Sequence, residues 1–238
     1  MRVFGFTALL FMFAPMSPET TRADDMPTGR QKVDGFWIDR TEVTIAAFTR
    51  FVRGAVVTAA ERNGGGFEYA GGWQRRPGWT FRTPFGKPPT SSAEPAVHVT
   101  WAEAKAYCTW AGGRLPTAAE WRRAAYTESR AKPPAPFVAG KSYPYPTGDS
   151  PEGANTSGED RWPRHARAGA TKRGVNGLWE MGANVWEWSA DRRAATALTM
   201  GGSWWYGPRM MRRESVQYKP IAFYAVYVGF RCAYDTPG

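Results

Sequence analysis

The sequence predicts one irregular α+β domain in which loops outweigh short helices and strands. Three observations lead there. The 238 residues suffice for a single large domain with a substantial core. Aromatic side chains make up 15% of the chain, alongside 26 glycines and 19 prolines, a balance that suits loops pinned by aromatic packing better than a helical bundle. Helical signals are confined to short runs, each opened by a threonine cap.

Taken in order, residues 1–23 read as an export signal. Arg2 gives the positive start, 3–14 an apolar run, and Thr21-Arg22-Ala23 a cleavage-like end. The run is too short to cross a bilayer. A periplasmic or secreted protein with no membrane span after signal cleavage is expected, a retained anchor being the lesser alternative. Residues 24–35 form a polar extended lead, and the domain proper is 36–238. Phe36-Trp37-Ile38 opens a strand. Thr44 caps a helix reaching Phe51 or Arg53 and stopped by Gly54, with Ile45, Phe48, Phe51 and Val52 on its apolar face. Residues 56–94 read as a long ordered loop region with short strands, in which Trp73, Trp79 and Phe81 are candidates either for a cleft wall or for loop packing.

Residues 95–99 are predicted as a strand carrying His98, a hydrogen-bonded structural group rather than a ligand. Thr100 with Glu103, and Thr117 with Glu120, are capping boxes. In the first helix Trp101, Ala104, Cys108 and Ala111 share a face; in the second Trp121, Ala124 and Ala125 point inward. The proline-rich 132–146 is predicted as an exposed connection.

The formal net charge is +10, but the basic residues are scattered in short clusters such as Arg75-Arg76 and Arg212-Arg213. With export expected, nucleic acid is set aside as a partner; a cationic surface suits anionic envelope components or an acidic partner. Cys108 and Cys232, the only two cysteines, suggest one disulfide in an oxidising compartment, or else a reactive or metal-binding pair.

Residues 175–191, VNGLWEMGANVWEWSAD, organise the rest. A turn signal at Asn176-Gly177 precedes Trp179, Trp186 and Trp188, with Glu180, Glu187 and Asp191 among them. An acid buried against tryptophan needs a partner, which a cation, an arginine or backbone N–H groups can each supply. One reading is a hard-cation loop with Glu180 and Glu187 as oxygen donors; the other is an aromatic core with acids at its wet rim. In GANTSGEDRW (153–162) the side chains of Asn155 and Asp160 offer a second candidate set of oxygen ligands.

This segment resembles the signature of the formylglycine-generating enzyme, or sulfatase-modifying factor, family. FWIDRTEVTIAAFTRFV (36–52), PAVHVTWAEAKAYCTWAGGRLPTAAEWRRAA (95–125), GGSW (201–204) and GFRCA (229–233) match further blocks in the right order, covering nearly all of the chain beyond residue 35. The resemblance implies a loop-rich, C-type-lectin-like fold. It implies a structural disulfide between Cys108 and Cys232, which the chain-entropy model values at roughly 4–5 kcal/mol. It also implies calcium at two places: Asn155, Thr156, Asp160 and Trp162, with a shorter spacing than usual; and Glu180, Ala183, Val185 and Glu187.

Active members hold copper with two thiolates just after the GGS block. Here those positions fall on Tyr206 and Met211, and thiolate is what suits Cu(I). A related branch holds iron with histidines of an added helical domain, whereas this chain has only His98 and His165. Calcium is therefore expected, and copper, iron and formylglycine-generating oxidation are not. What the resemblance leaves is a binding surface: Trp186, Ser203, Trp204, Trp205, Tyr206, Arg209 and Met211, with Arg212 and Arg213 nearby. The expected function is an exported accessory or maturation factor acting on a protein or peptide partner in the cell envelope. The alternatives are a periplasmic enzyme of altered chemistry, of the siderophore-maturation type, with Glu187, Tyr206 or Glu214 in proton transfer, or a lectin-like ligand-binding module.

Overall fold

The computed structural model describes residues 29–53, 56–158 and 160–237. The expected export signal, the first part of the extended lead and the stop at Gly54 lie outside the described residues. In chain order the elements are β1 (Arg30–Val33), β2 (Phe36–Asp39), α1 (Ile45–Val52), α2 (Ala59–Arg62), β3 (Gly65–Tyr69), β4 (Trp73–Pro77), α3 (Trp101–Trp110), α4 (Ala118–Tyr126), β5 (Trp186–Arg193), β6 (Thr196–Met200), β7 (Val216–Pro220), β8 (Val228–Gly229) and β9 (Ala233–Tyr234). Short helices, short strands and long loops make the mixed α+β fold that the sequence predicts.

Local chemistry sets the helices. Thr44 caps α1 by accepting from Ala47 N–H at 3.2 Å, and α1 buries Ile45, Phe48 and Val52. Both expected capping boxes form: Thr100 with Glu103 opens α3, and Thr117 with Glu120 opens α4. In the stretch 56–94 the expected short strands are β3 and β4, which pair as a hairpin, and Thr58 with Glu61 makes a further capping box that opens α2, a helix the sequence reading does not include.

The predicted strand at 95–99 is corrected: only an isolated bridge, Thr44 to Pro95, is present. His98 sits at φ 57°, in the left-handed region that breaks a strand. Its Nε2 meets the Pro84 carbonyl at 3.0 Å, the structural role expected of it. The connection 132–146 is mostly exposed but anchored by buried Phe137 and Tyr143.

Three sheets organise the strands: β1-β2-β9, the β3-β4 hairpin, and β7-β6-β5-β8. In the last, β5 runs parallel to β8 and antiparallel to β6. The main core gathers Phe48, Tyr107, Trp186, Trp188 and Phe230. A second core under α4 gathers Trp121, Tyr126, Leu178 and Met200. Strand alternation on β5 sends Trp186 and Trp188 to the first core and Glu187 toward Trp121 of the second. Cys108 of α3 is bonded to Cys232 beside β9, with Cα atoms 5.4 Å apart, across 124 residues of sequence. The expected pairing of the cysteines is therefore present.

Candidate functional site

Around β5 and the 175–191 segment lies a buried ion network. Arg231, fully buried, donates from Nε (3.0 and 2.8 Å) and Nη2 (2.7 Å) to the carboxylate of Glu187, which also accepts from Trp121 Nε1 at 2.8 Å. Glu180 accepts from the N–H groups of Gly169 (3.1 Å) and Thr171 (3.2 Å) and from Thr171 Oγ1 at 2.8 Å. Glu42 accepts from Asn184 Nδ2 at 2.6 Å and Val185 N–H at 3.2 Å. Burial pushes the carboxyl of Glu42 well above its usual range, helped by repulsion from Glu180 and Glu187. Burial likewise raises Glu180, against the pull of its hydrogen bonds. Of the partners a buried acid can take, Glu187 has found an arginine and Glu180 a set of backbone N–H groups.

These partners decide how well calcium fits. At the expected site of Glu180, Ala183, Val185 and Glu187, both oxygens of Glu187 are committed to a guanidinium, and the oxygens of Glu180 face Gly169 and Thr171. That donor set does not fit a cation. The site of Asn155, Thr156, Asp160 and Trp162 fits better. Asp160 folds back over the loop, accepting from Thr156 N–H at 2.7 Å and Trp162 N–H at 2.8 Å. Asn155 is fully buried and its Nδ2 is used on Arg164 O and Asn184 Oδ1, while its Oδ1 has no hydrogen-bond partner among the described residues. Both Asp160 oxygens are thus occupied, and the feature in favour of this set is the open Asn155 Oδ1, since a buried acceptor without a donor suits a hard cation.

The positions aligned with the copper thiolates carry no thiolate. The Tyr206 ring stands 5.7 Å from that of Trp186, and Met211 is buried against Ala154 and Ala183. Both cysteines are in the disulfide. His98 and His165 are buried, each with Nε2 on a backbone carbonyl, Pro84 O and Val226 O. Burial lowers them to about 4 and about 3, so both rings are neutral. The residues present fit neither copper nor iron.

What does assemble is an aromatic wall. The Gly201-Gly202 turn, at φ 93° and 81°, ends β6 and delivers Ser203-Trp204-Trp205-Tyr206. Ala183 N–H donates to Gly201 O at 2.8 Å and Trp204 N–H to Asn184 O at 2.9 Å, so the 201–206 loop is stitched to the 175–191 segment. Trp204 lies 5.6 Å from Trp205 and 5.5 Å from Tyr227, and Trp205 lies 5.4 Å from Tyr227. Trp205 is 44% exposed at the rim. Trp186 Nε1, Trp204 Nε1 and Ser203 Oγ are buried with no hydrogen-bond partner among the described residues.

Of the other sequence candidates, Arg209 and Glu214 are exposed. Arg212 leans on Tyr145 and Arg213 on Tyr126. Trp73 is half exposed 4.8 Å from Phe223, Trp79 packs on Phe85, and Phe81 is core. Sequence reasoning missed Glu42, Asn184, Lys219, Tyr227 and the role of Arg231. Only Arg231 carried a signal, as the single charge inside the apolar GFRCA block.

With this geometry in place, comparison with known proteins is informative. A family described as "Sulfatase-modifying factor enzyme 1-like domain" matches residues 12–236. The chain is 32% identical over 210 residues to the formylglycine-generating enzyme of Mus musculus, covering 76% of this chain and 56% of the mouse protein. It is 33% identical over 125 residues to the inactive C-alpha-formylglycine-generating enzyme 2 of Bos taurus, covering 46% of this chain and 38% of that protein. The chain thus spans about half the length of the curated relatives it matches. Among solved structures, PvdO from Pseudomonas aeruginosa shares the fold with a TM-score of 0.61 at 22% identity, over 83% of this chain and 79% of that one.

Proposed function

The chain belongs to the sulfatase-modifying factor family, and on that premise we propose that it is an exported accessory or maturation factor whose aromatic cleft receives a protein or peptide partner in the cell envelope. One observation carries this reading. Where the family resemblance assigns two copper-binding thiolates, the cleft has a tyrosine in a wall of tryptophans and a methionine sealed in the core. No thiolate remains there to hold Cu(I), while exposed Trp205 and half-buried Tyr206 at the rim offer aromatic anchors to a bound chain. A relative named as inactive supports the same separation of scaffold from oxidation. The altered-enzyme alternative loses most of its proton-transfer candidates, since Glu187 is locked to Arg231 and Glu214 faces solvent. Calcium at Asn155, Thr156, Asp160 and Trp162 belongs to this reading as a loop-fixing ion, supported by the open Oδ1 of Asn155.

Two measurements test it. Mature protein given copper, oxygen and a cysteine-containing sulfatase-derived peptide is expected to leave the thiol intact; an aldehyde product overturns the reading. A photo-reactive benzoylphenylalanine at position 205, in cells of the source organism, is expected to capture a discrete envelope protein and to lose it when Tyr206→Ala is added. Capture unchanged by that substitution also counts against the cleft.

A further inference from the structure

Beside the aromatic wall is a pocket that the family resemblance does not account for. It has a volume of about 460 Å³ and is lined by Phe67, Trp73, Tyr218, Lys219, Pro220 and Phe223. It adjoins the cleft directly: Lys219 Nζ lies 5.0 Å from the ring of Trp186 and 5.8 Å from that of Phe223, and Trp73 packs on Phe223 and on Tyr227. The lysine is half-buried, and its one hydrogen bond is to Gln217 Oε1 at 2.5 Å. Among the described residues no carboxylate forms a salt bridge with it. Burial, with nothing opposing it, lowers its amine to about 8, so it is still mostly charged at neutral pH. A cation held among aromatic rings without an anion is the complement of an apolar acid.

The strand that carries Lys219 says how such an acid can arrive. β7 is the outer strand of its four-stranded sheet, and among the described residues no strand pairs with its free edge. An open edge accepts an extended chain by backbone pairing, and capture of a terminal carboxylate at the end of such a strand is a recurrent mode of peptide recognition. Lys219 and Pro220 are the last residues of β7, and both line the pocket.

We propose that this pocket is a C-terminus-binding subsite, in which a partner polypeptide pairs along β7, places its aromatic last residue between Trp73 and Phe223, and sets its terminal carboxylate on Lys219. The proposal rests on the reading of the cleft as a peptide-binding surface and names the partner's chemistry.

The test is titration by calorimetry of the mature protein with three probes: a hexapeptide ending in free Trp, the same hexapeptide as its C-terminal amide, and indole-3-acetate. The free-acid peptide is expected to bind at least about tenfold more tightly than the amide, the worth of a charge-assisted hydrogen bond. Lys219→Met, which keeps the stem and removes a buried charge, is expected to abolish that difference with the thermal unfolding midpoint unchanged or higher. Equal binding of acid and amide, or an acid preference that survives Lys219→Met, overturns the subsite. Indole-3-acetate binding through Lys219 with no gain from the peptide overturns the polypeptide source while leaving the cleft to the crosslinking test above. No binding by any probe overturns the proposal even if crosslinking at position 205 succeeds, so the two readings fail separately.

Discussion

Arg231→Leu is the most informative single change to this chain. The side chain is fully buried and its guanidinium makes three hydrogen bonds to Glu187, one to Asp39 O at 3.1 Å and one to Trp179 O at 2.9 Å. Its positive charge also lies close enough to hold down the carboxyls of Glu42 and Glu180. Leucine fills much of the volume but leaves the carboxylate of Glu187 buried without its cation, which costs about 3–5 kcal/mol in comparable pairs. Orphaning the carbonyls of Asp39 and Trp179 adds about 1–3 kcal/mol each. The total of roughly 5 kcal/mol or more approaches the whole stability of a typical domain, about 5–15 kcal/mol. Urea unfolding followed by tryptophan fluorescence, with the disulfide intact, is expected to show the variant largely unfolded or with a midpoint close to zero denaturant at pH 7.5. The sign of its pH dependence follows: acids left buried and unpaired take up protons more readily when folded than when unfolded, so the loss shrinks as pH falls from 8 to 5. Arg231→Leu combined with Glu187→Leu is expected to recover a large part of the stability. A single variant within about 1 kcal/mol of the parent at pH 7.5 would refute the network as described, because something else would have to be neutralising Glu187.

Two further predictions concern the loop ion and the histidines. Calcium at a hundred times its dissociation constant stabilises a folded protein by about 2.7 kcal/mol; a raised melting temperature with calcium, cancelled by chelator and by Asp160→Asn but not by Glu180→Gln, is the expected pattern by differential scanning fluorimetry, and the opposite pattern restores the Glu180 site. His165 is neutral when folded and lowered to about 3, so its contribution is intact above its unfolded value near 6.5 and declines as pH falls below it. At pH 5 that is a loss of about 2 kcal/mol, and His165→Phe is expected to flatten the fall in the urea midpoint between pH 6.5 and 5 by one proton's worth; an unchanged slope would show that the ring is already protonated in the fold.

Much of the frame was legible because its signals are local. Thr-Ala-Ala-Glu at 117–120 announces α4, and the same four residues at 58–61 announce α2 just as plainly. The second is masked by the surrounding glycines and prolines, which make the stretch look like loop throughout. The disulfide was legible through the family resemblance and not from spacing, since 124 residues separate the cysteines. The site was less legible because its decisive contacts are long-range. Nothing near Glu187 in sequence says that its partner is 44 residues later, so the residues alone leave a cation, an arginine and backbone N–H groups open as partners. Lys219 likewise looks like an ordinary strand lysine until folding sets it over Trp186. His98 defeats the predicted strand for a similar reason: its ring's place against Pro84 and its left-handed backbone belong to the packed state and not to the local apolar pattern.

Residues 231–234 complete structures begun more than a hundred positions earlier. Cys232 N–H caps the carboxylate of Asp39, 193 positions earlier, Arg231 reaches the Asp39 carbonyl across 192, and β9 lies against β2. One short segment thus supplies a strand partner, a neutralising cation and a sulfur to three places far away in sequence. Contacts closed over such spans are slow to form. The knot around residues 231–234 therefore sets the pace of folding, and each of its three ties holds the others in register.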